Sequence, residues 1–265
     1  MPSAQSQTLA GILRLRVNVI LALILRDMRT RFGRSHLGYL IAIGWPLAHL
    51  VSIVGVAAFI NKVMPLGTDP AIFVATGALP YILCLYPARM IGQAIVSNKP
   101  LFLFPIVTVF DVMASRILIE FITAFIVVII FGSGLYVLGV DIVPLDATVA
   151  MSAIVATVFF SISVGVLSTV ITSIFPFWGI GFVVIMVLLY GFAGVFVLPT
   201  SLSQGMRELM WYNPLFHCVE WIRSAYYEGY GDDMLSRSYL LWSAATALLL
   251  GLLGERFVRG KLLLS

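Results

Sequence analysis

The stretch WYNPLFHCVEWIRSAYYEGYGDD, Trp211 to Asp233, decides how this chain is to be read. It stands between two strongly apolar runs, yet His217, Glu220, Arg223 and Glu228 would each cost a few kcal/mol in hydrocarbon, so it does not cross a bilayer. It is also too aromatic for an ordinary loop. Asn213-Pro214 is a helix-start signal, with Asn as the N-cap and Pro at the first helical position. A helix from there to about Glu228 puts Leu215, Val219, Ile222 and Tyr226 on one face and His217, Glu220, Ser224 and Tyr227 on the other. Upstream, SLSQGMRELMWY reads as a second short helix capped by Ser201 or Ser203. Two short helices entered and left from the same side form a re-entrant hairpin, about residues 199–231, half-sunk in one leaflet. Its polar face is expected to look into a vestibule or a partner, because polar backbone at that depth needs cover by protein or water. The plainer alternative is an interfacial anchor with Trp211, Trp221, Tyr226 and Tyr227 at headgroup level.

The surrounding composition makes the membrane explicit. Of 265 residues 61% are hydrophobic and 11% charged, against roughly 45–50% and about 25% in soluble domains. Apolar windows long enough to cross about 30 Å of hydrocarbon recur near 37–60, 71–95, 116–139, 147–174, 178–198 and 239–257. Backbone polar groups must be satisfied within each segment, and strand-like alternation is absent, so the expected fold is all-α and polytopic with six transmembrane helices. Six crossings put both termini on one side. Lysine and arginine then choose it: Arg14, Arg16, Arg26, Arg29, Arg31, Arg34, Lys99, Arg116, Arg256, Arg259 and Lys261 fall on the terminal side, and Lys62, Arg207, Arg223 and Arg237 on the other. The positive-inside rule makes the terminal side cytoplasmic.

Ahead of the first span, Val17 to Arg34 reads as a retained amphipathic helix lying at the interface, with Asp27 and Arg31 at i,i+4 spacing. The domain plan is therefore 1–36, a cytoplasmic N-terminus with its interfacial helix, and 37–265, the six-span domain. The loop at about 96–112, SNKPLFLFPIVTVFD, is apolar but carries Pro100 and Pro105, so it is a broken surface element that a cytoplasmic partner could grip. Phe175-Pro176-Phe177 marks a tight hairpin.

Catalytic signatures are missing. Gly260-Lys261 is followed by leucines rather than completing a phosphate loop, and no GxSxG, HExxH, Cys/His cluster or paired-carboxylate site occurs. No catalytic or metal-binding residue is assigned, and an energy source must come from another chain. Cys84 and Cys218 read as small apolar packers. Arg116 and Glu120, at i,i+4, are expected to pair. Ser161, Gly165, Ser168 and Thr172 form a small-residue stripe for close helix packing, and Gly191 and Gly194 read the same way. Arg89, Tyr81, Tyr86, Phe159, Phe160 and Tyr190 are the candidates for a substrate path, the rings stacking sugars and Arg89 meeting an anionic group. Arg89 and Arg223 are both expected to matter for an anionic glycan without being needed for membrane insertion.

RDMRTRFGRSHLGYLIAIGWPLAHL, Arg26 to Leu50, and WYNPLFHCVEWIRSAYYEGY, Trp211 to Tyr230, resemble the two signature regions of type-2 ABC exporter permeases. Within that family the likeness is to inner-membrane permeases of bacterial capsular polysaccharide exporters, and it covers essentially the whole chain. It implies a homodimer in the bacterial inner membrane, bound to two cytoplasmic ABC ATPase subunits that hold ATP and Mg, with no cofactor in this chain. It implies export of a long, often acidic, lipid-terminated glycan, with a periplasmic co-polymerase docking outside and no nucleic-acid partner. The hairpin residues Trp211, Asn213, Pro214, His217, Glu220 and Arg223 belong to the second signature. The ATPase-coupling surface would comprise Arg26, Arg29 and Arg31 with Asn98, Lys99, Pro100, Phe102, Phe104 and Pro105. Lys99 stands alone where many relatives carry a basic pair. Relatives exporting O-antigen or teichoic acid fit the same motifs, and an ATP-independent membrane glycan carrier is the alternative outside the family.

Overall fold

The computed structural model of the chain describes residues 9–31, 37–60, 66, 67, 69–231 and 233–264. Ten α-helices follow one another among these residues: α1 (Leu9–Arg31), α2 (Leu37–Ile60), α3 (Pro70–Gly92), α4 (Ala94–Ser97), α5 (Val109–Val137), α6 (Ala147–Ile174), α7 (Trp178–Gly191), α8 (Gln204–Trp211), α9 (Pro214–Ser224) and α10 (Arg237–Leu264). Short 3-10 turns at Lys99–Leu103 and Pro199–Ser201 complete the regular structure. Five of the helices are long and apolar enough to cross a membrane, and α7 is a shorter apolar helix.

Local chemistry explains the boundaries. Asp69 caps α3 by accepting the Ala71 N–H at 2.7 Å, with Pro70 in the first turn, and Asp146 caps α6 by accepting the N–H groups of Thr148 and Val149. Both acids are thus helix N-caps. Thr108 and Asp111 form a reciprocal capping box, which begins α5 seven residues before the predicted span at 116 and shortens the predicted loop of 96–112. At 29 residues and about 1.5 Å per residue, α5 is longer than the roughly 30 Å of a bilayer's hydrocarbon. The N-terminal helix starts at Leu9 rather than Val17, and Arg34 lies outside the described residues.

The fifth predicted span, 178–198, departs most from expectation. Helix α7 has 14 residues, about 21 Å at about 1.5 Å per residue, and the chain then turns through Phe192 to Val197 with Gly194 at φ +74°. A Cβ on Gly191 would meet nothing within 4 Å, so Gly191 is not the packing contact predicted, whereas Gly194 serves the turn and a Cβ there would stand 3.3 Å from the Met210 Cε of α8 and 3.7 Å from the Phe216 ring of α9.

Helix α3 is the centre, packed against α2, α5, α6, α7 and α9, while α10 lies along α6. The small-residue stripe of α6 does what its composition predicts. A Cβ on Gly165 would stand 2.9 Å from the Ile91 Cβ and 3.1 Å from the Ala88 Cα, and one on Gly92 would stand 3.1 Å from the Ser168 Cβ. The close approach lets the Thr169 hydroxyl donate to the Ile91 carbonyl at 2.7 Å. On the other side Gly251 and Gly254 admit the α6 backbone at Leu167 and the Val170 side chain. Such packing substitutes for a hydrophobic force that lipid does not supply.

Gly165→Ala should therefore lower stability in detergent by about 1–3 kcal/mol, the usual range for overpacking. Gly134→Ala, where a Cβ meets nothing within 4 Å, should not. Thermal unfolding of the two purified variants checks both, and equal midpoints would contradict the packing argument.

Candidate functional site

Two regions carry the polar side chains that a membrane helix bundle does not need for packing alone. One lies at the end of the bundle where α1, α4 and the start of α5 meet. The other is the α8–α9 hairpin at the opposite end.

At the first, α1 is laid across the loop between α4 and α5. Leu23 is buried with Ala94 and Val112, and Val19, Leu101, Phe102 and Val107 pack around them. Arg16 Nη1 donates to the Ile106 carbonyl at 3.1 Å and to Asp111 Oδ2 at 2.8 Å. Arg26 Nη1 donates to Asn98 Oδ1 at 2.6 Å, while Asn98 Nδ2 donates to the Ala94 carbonyl at 2.8 Å. The buried carboxylate of Asp27 stands 3.5 Å from Arg116 and 3.8 Å from Arg26. Arg116, expected to pair with Glu120, thus has an ion-pair partner on α1. The predicted coupling residues divide accordingly. Arg26 and Asn98 join α1 to the loop, and Phe102 is turned inward against Ile91, Ile95 and Val109. Arg29, Lys99, Pro100, Phe104 and Pro105 are exposed, and the Arg31 side chain lies outside the described residues. Leu103, at 85% exposure, joins Phe104 at 60% and Ile106 in an apolar knuckle beyond the bundle. Sequence reasoning missed Arg16 and Asp111, although the Thr108-to-Asp111 capping spacing was visible in it, and it paired Asp27 only with Arg31 on its own helix rather than with Arg116 of α5.

In the hairpin, Asn213 caps α9 as predicted, accepting the Leu215 N–H at 3.0 Å. The helix ends at Ser224 rather than near Glu228, and Ser203 holds the cap position of α8 without a side-chain bond. The predicted polar face does not open into a vestibule. His217, Glu220 and Arg223 are all buried, because each finds its partners inside the protein. The Ser236 N–H donates to His217 Nδ1 at 3.1 Å, so the proton sits on Nε2, which donates to the Trp211 carbonyl at 2.8 Å. The Tyr230 hydroxyl donates to Glu220 Oε1 at 2.8 Å, and Arg223 stands 3.8 Å from the same oxygen. Burial raises the Glu220 carboxyl above its usual range, while the Tyr230 bond and the Arg223 charge pull the other way.

Arg223, fully buried, reaches across to the broken end of α7. Its Nη1 donates to the Gly194 carbonyl at 2.6 Å, and its Nη2 to the carbonyls of Val195 at 2.7 Å and Phe73 at 3.4 Å. The guanidinium lies 4.1 Å from the centre of the Phe73 ring. It passes over Gly77, where a Cβ would stand 3.0 Å from Nη2. Asn213 Nδ2 donates to two more carbonyls of the same region, Leu189 at 2.7 Å and Phe192 at 3.1 Å. Arg223, expected to matter for an anionic glycan, thus spends both Nη groups on backbone carbonyls inside the protein, and among the described residues its buried Nε has no hydrogen-bond partner.

The path candidates also separate. Tyr81 and Tyr190 stack with ring centres 4.0 Å apart, so Tyr81, itself buried, presents no face to a sugar. Tyr190 and Tyr86 are half-buried, and His49 Nδ1 shares a 3.0 Å hydrogen bond with the Tyr86 hydroxyl. Phe196 meets Tyr190 edge-on at 5.7 Å. Phe160 is buried in the core and Phe159 packs half-buried against it. Among the described residues the buried Tyr190 hydroxyl has no hydrogen-bond partner. His49 and Phe196 were missed, since an isolated ring in an apolar run carries no signal of its neighbours.

Two outcomes follow. Arg223→Ala leaves three carbonyls and Glu220 without their cation, and removal of one partner from a buried network costs about 3–5 kcal/mol. The variant should lose thermal stability and membrane abundance together, and a normally folded, abundant protein would contradict the pin. His217 is held below its ordinary value of 6.5 by burial, opposed by its bond to Trp211. A depressed histidine favours the fold when neutral, so stability is full above the unfolded value and is lost as pH falls through it. The melting temperature of the wild type should fall more steeply than that of His217→Gln between pH 7 and 5, about the range where an unperturbed histidine gains its proton. Parallel curves would contradict this.

Comparison with known proteins places these features. Residues 18–227 match the model of the ABC-2 type transporter family. The polysialic acid transport protein KpsM of Escherichia coli is 32% identical over 239 residues, covering 87% of this chain and 90% of its own length. The capsule polysaccharide export inner-membrane protein BexB of Haemophilus influenzae is 27% identical, covering 91% of each chain. The capsule polysaccharide export inner-membrane protein CtrC of Neisseria meningitidis is 25% identical, covering 94% of each. The matched region runs from within α1 to just past α9, taking in both the loop clamped by α1 and the hairpin pinned by Arg223: the chain belongs to the ABC-2 type transporter family.

Proposed function

We propose that this chain is the transmembrane permease subunit of an ATP-driven exporter that moves capsular polysaccharide across the bacterial inner membrane. The observation that carries the reading is similarity along nearly the full length of proteins named for polysialic acid transport and capsule polysaccharide export. The chain is not itself an enzyme. ATP and Mg are held by two cytoplasmic ATPase subunits, and two copies of the permease enclose the conduit.

The apolar knuckle of Leu103, Phe104 and Ile106 supports an ATPase-docking role for the α4–α5 loop, since exposed apolar side chains in the loop that carries Lys99 are a natural landing surface for a soluble subunit. With the positive-inside assignment this end and both termini are cytoplasmic. Helix α1, with Leu9, Leu13, Leu21 and Leu25 exposed, lies at the inner interface as an amphipathic element. Helix α7 and the irregular segment after it make the fifth of six crossings, and α8–α9 is the re-entrant hairpin. Irregular backbone at membrane depth requires cover by protein, which agrees with the bonds from Asn213 and Arg223 to that segment. A periplasmic co-polymerase docks on the hairpin's outer surface. Tyr86 and Tyr190, both half-buried, remain the aromatic candidates for the substrate path.

A strain lacking the gene tests the function. Surface capsule should disappear while lipid-terminated polymer accumulates in the cytoplasm, and unchanged surface polymer would overturn the assignment. Leu103→Asp with Phe104→Asp tests the docking surface. Both side chains point away from the core, so the double variant should keep its melting temperature yet lose most of the co-purifying ATPase. An intact complex would exclude this loop.

A further inference from the structure

A cavity of 410 Å³ opens between α2, α3 and α5, at the end of the bundle that carries the α4–α5 loop. Ile41 and Trp45 of α2 and Ile119 of α5 form apolar walls, and Tyr86, Arg89 and Glu120 are among its polar lining. The Tyr86 hydroxyl is taken by His49. Glu120 is buried and already engaged. Arg89 differs: it is exposed, and among the described residues its guanidinium makes no side-chain hydrogen bond or ion pair. It occupies the last turn of α3, three residues from the helix end or about 4.5 Å along the axis at about 1.5 Å per residue. From the last turn of a membrane helix an arginine side chain is long enough to reach the phosphate level of a bilayer.

A long arginine near a helix end can reach the interface with nothing bound to it. The combination here is more specific. One unpaired guanidinium, a fork of donors that matches two phosphate oxygens, stands at the mouth of a groove whose floor is apolar and whose wall carries a 68% exposed tryptophan. The groove lies within the size range of small-molecule sites, roughly 300–1,000 Å³. We propose that this cavity binds an acidic phospholipid of the leaflet on the α4–α5 loop side, its phosphate on Arg89 and an acyl chain along Ile41, Trp45 and Ile119. Of the two charged residues in the lining, Glu120 is already engaged and Arg89 makes no side-chain bond among the described residues, so the charge the cavity offers a ligand is the guanidinium, which favours an acidic headgroup over a zwitterionic one. This inference does not depend on the export reading.

Trp45 supplies the probe. The purified full chain is reconstituted in phosphatidylcholine vesicles containing a minor fraction of either phosphatidylglycerol or phosphatidylcholine with brominated acyl chains, which quench tryptophan on contact. The Trp45 component is the difference between wild type and Trp45→Phe. Brominated phosphatidylglycerol should quench it at a several-fold lower fraction than brominated phosphatidylcholine, while the exposed Trp242 on α10 is quenched equally by both. Arg89→Gln should abolish the difference, and Arg89→Lys, which keeps the charge and controls for folding, should retain most of it. Equal quenching by the two lipids, or a preference that survives Arg89→Gln, overturns the proposal. Absence of quenching by either lipid also overturns it, because protein would then cover the cavity.

Discussion

A buried backbone carbonyl left without a donor is costly, and the architecture is arranged around one place where a helix ends and leaves several of them. Helix α7 stops at Gly191, well short of the apolar run that encodes it. The carbonyls of Leu189, Phe192, Gly194 and Val195 are then supplied by two side chains, Asn213 and Arg223, delivered from a hairpin that begins downstream. This gives the hairpin its composition. Its polar residues are internal fasteners, Asn213 capping its own helix while holding the end of another, and Arg223 bridging α7 to Phe73 of α3. The donors come from the protein itself, and this internal use accounts for so polar a segment standing between two apolar ones.

From that pin the structure is continuous to the other end. Helix α3 runs unbroken from Pro70 to Gly92, touching Arg223 near its start and meeting α6 through Gly92, Ile91 and Gly165 near its finish. Beyond it, α4, the loop and α5 are bound to α1 by Arg16, Arg26 and Asp27. A push on Leu103 and Phe104 is therefore received by several helices at once rather than by a loose loop. Rigid elements joined by buried contacts transmit displacement because packed interiors have few intermediate arrangements.

Much of this was legible in the residues, and the exceptions have physical causes. Apolar windows located five long helices, Asn213-Pro214 located a helix start, and the small residues of α6 announced a close crossing. The early end of α7 was not visible, because hydropathy continues to Leu198 and the donors that satisfy the break come from Asn213 and Arg223, distant in sequence. The start of α5 was missed because two prolines and an apolar composition drew the reading toward a loop, though Thr108 and Asp111 carried a cap. The fate of His217, Glu220 and Arg223 was misread for a general reason: periodicity says which side chains share a face but not what that face meets. Here it meets Trp211, Tyr230, Ser236 and the end of α7.

The central claim is that this chain conducts a polysaccharide only when a separate ATPase drives it. The most direct measurement is translocation of lipid-terminated capsule polymer into sealed vesicles containing the purified permease with or without its ATPase. The account predicts translocation that requires both the ATPase and hydrolysable ATP. Translocation by the permease alone, at a rate unaffected by ATP, would contradict it.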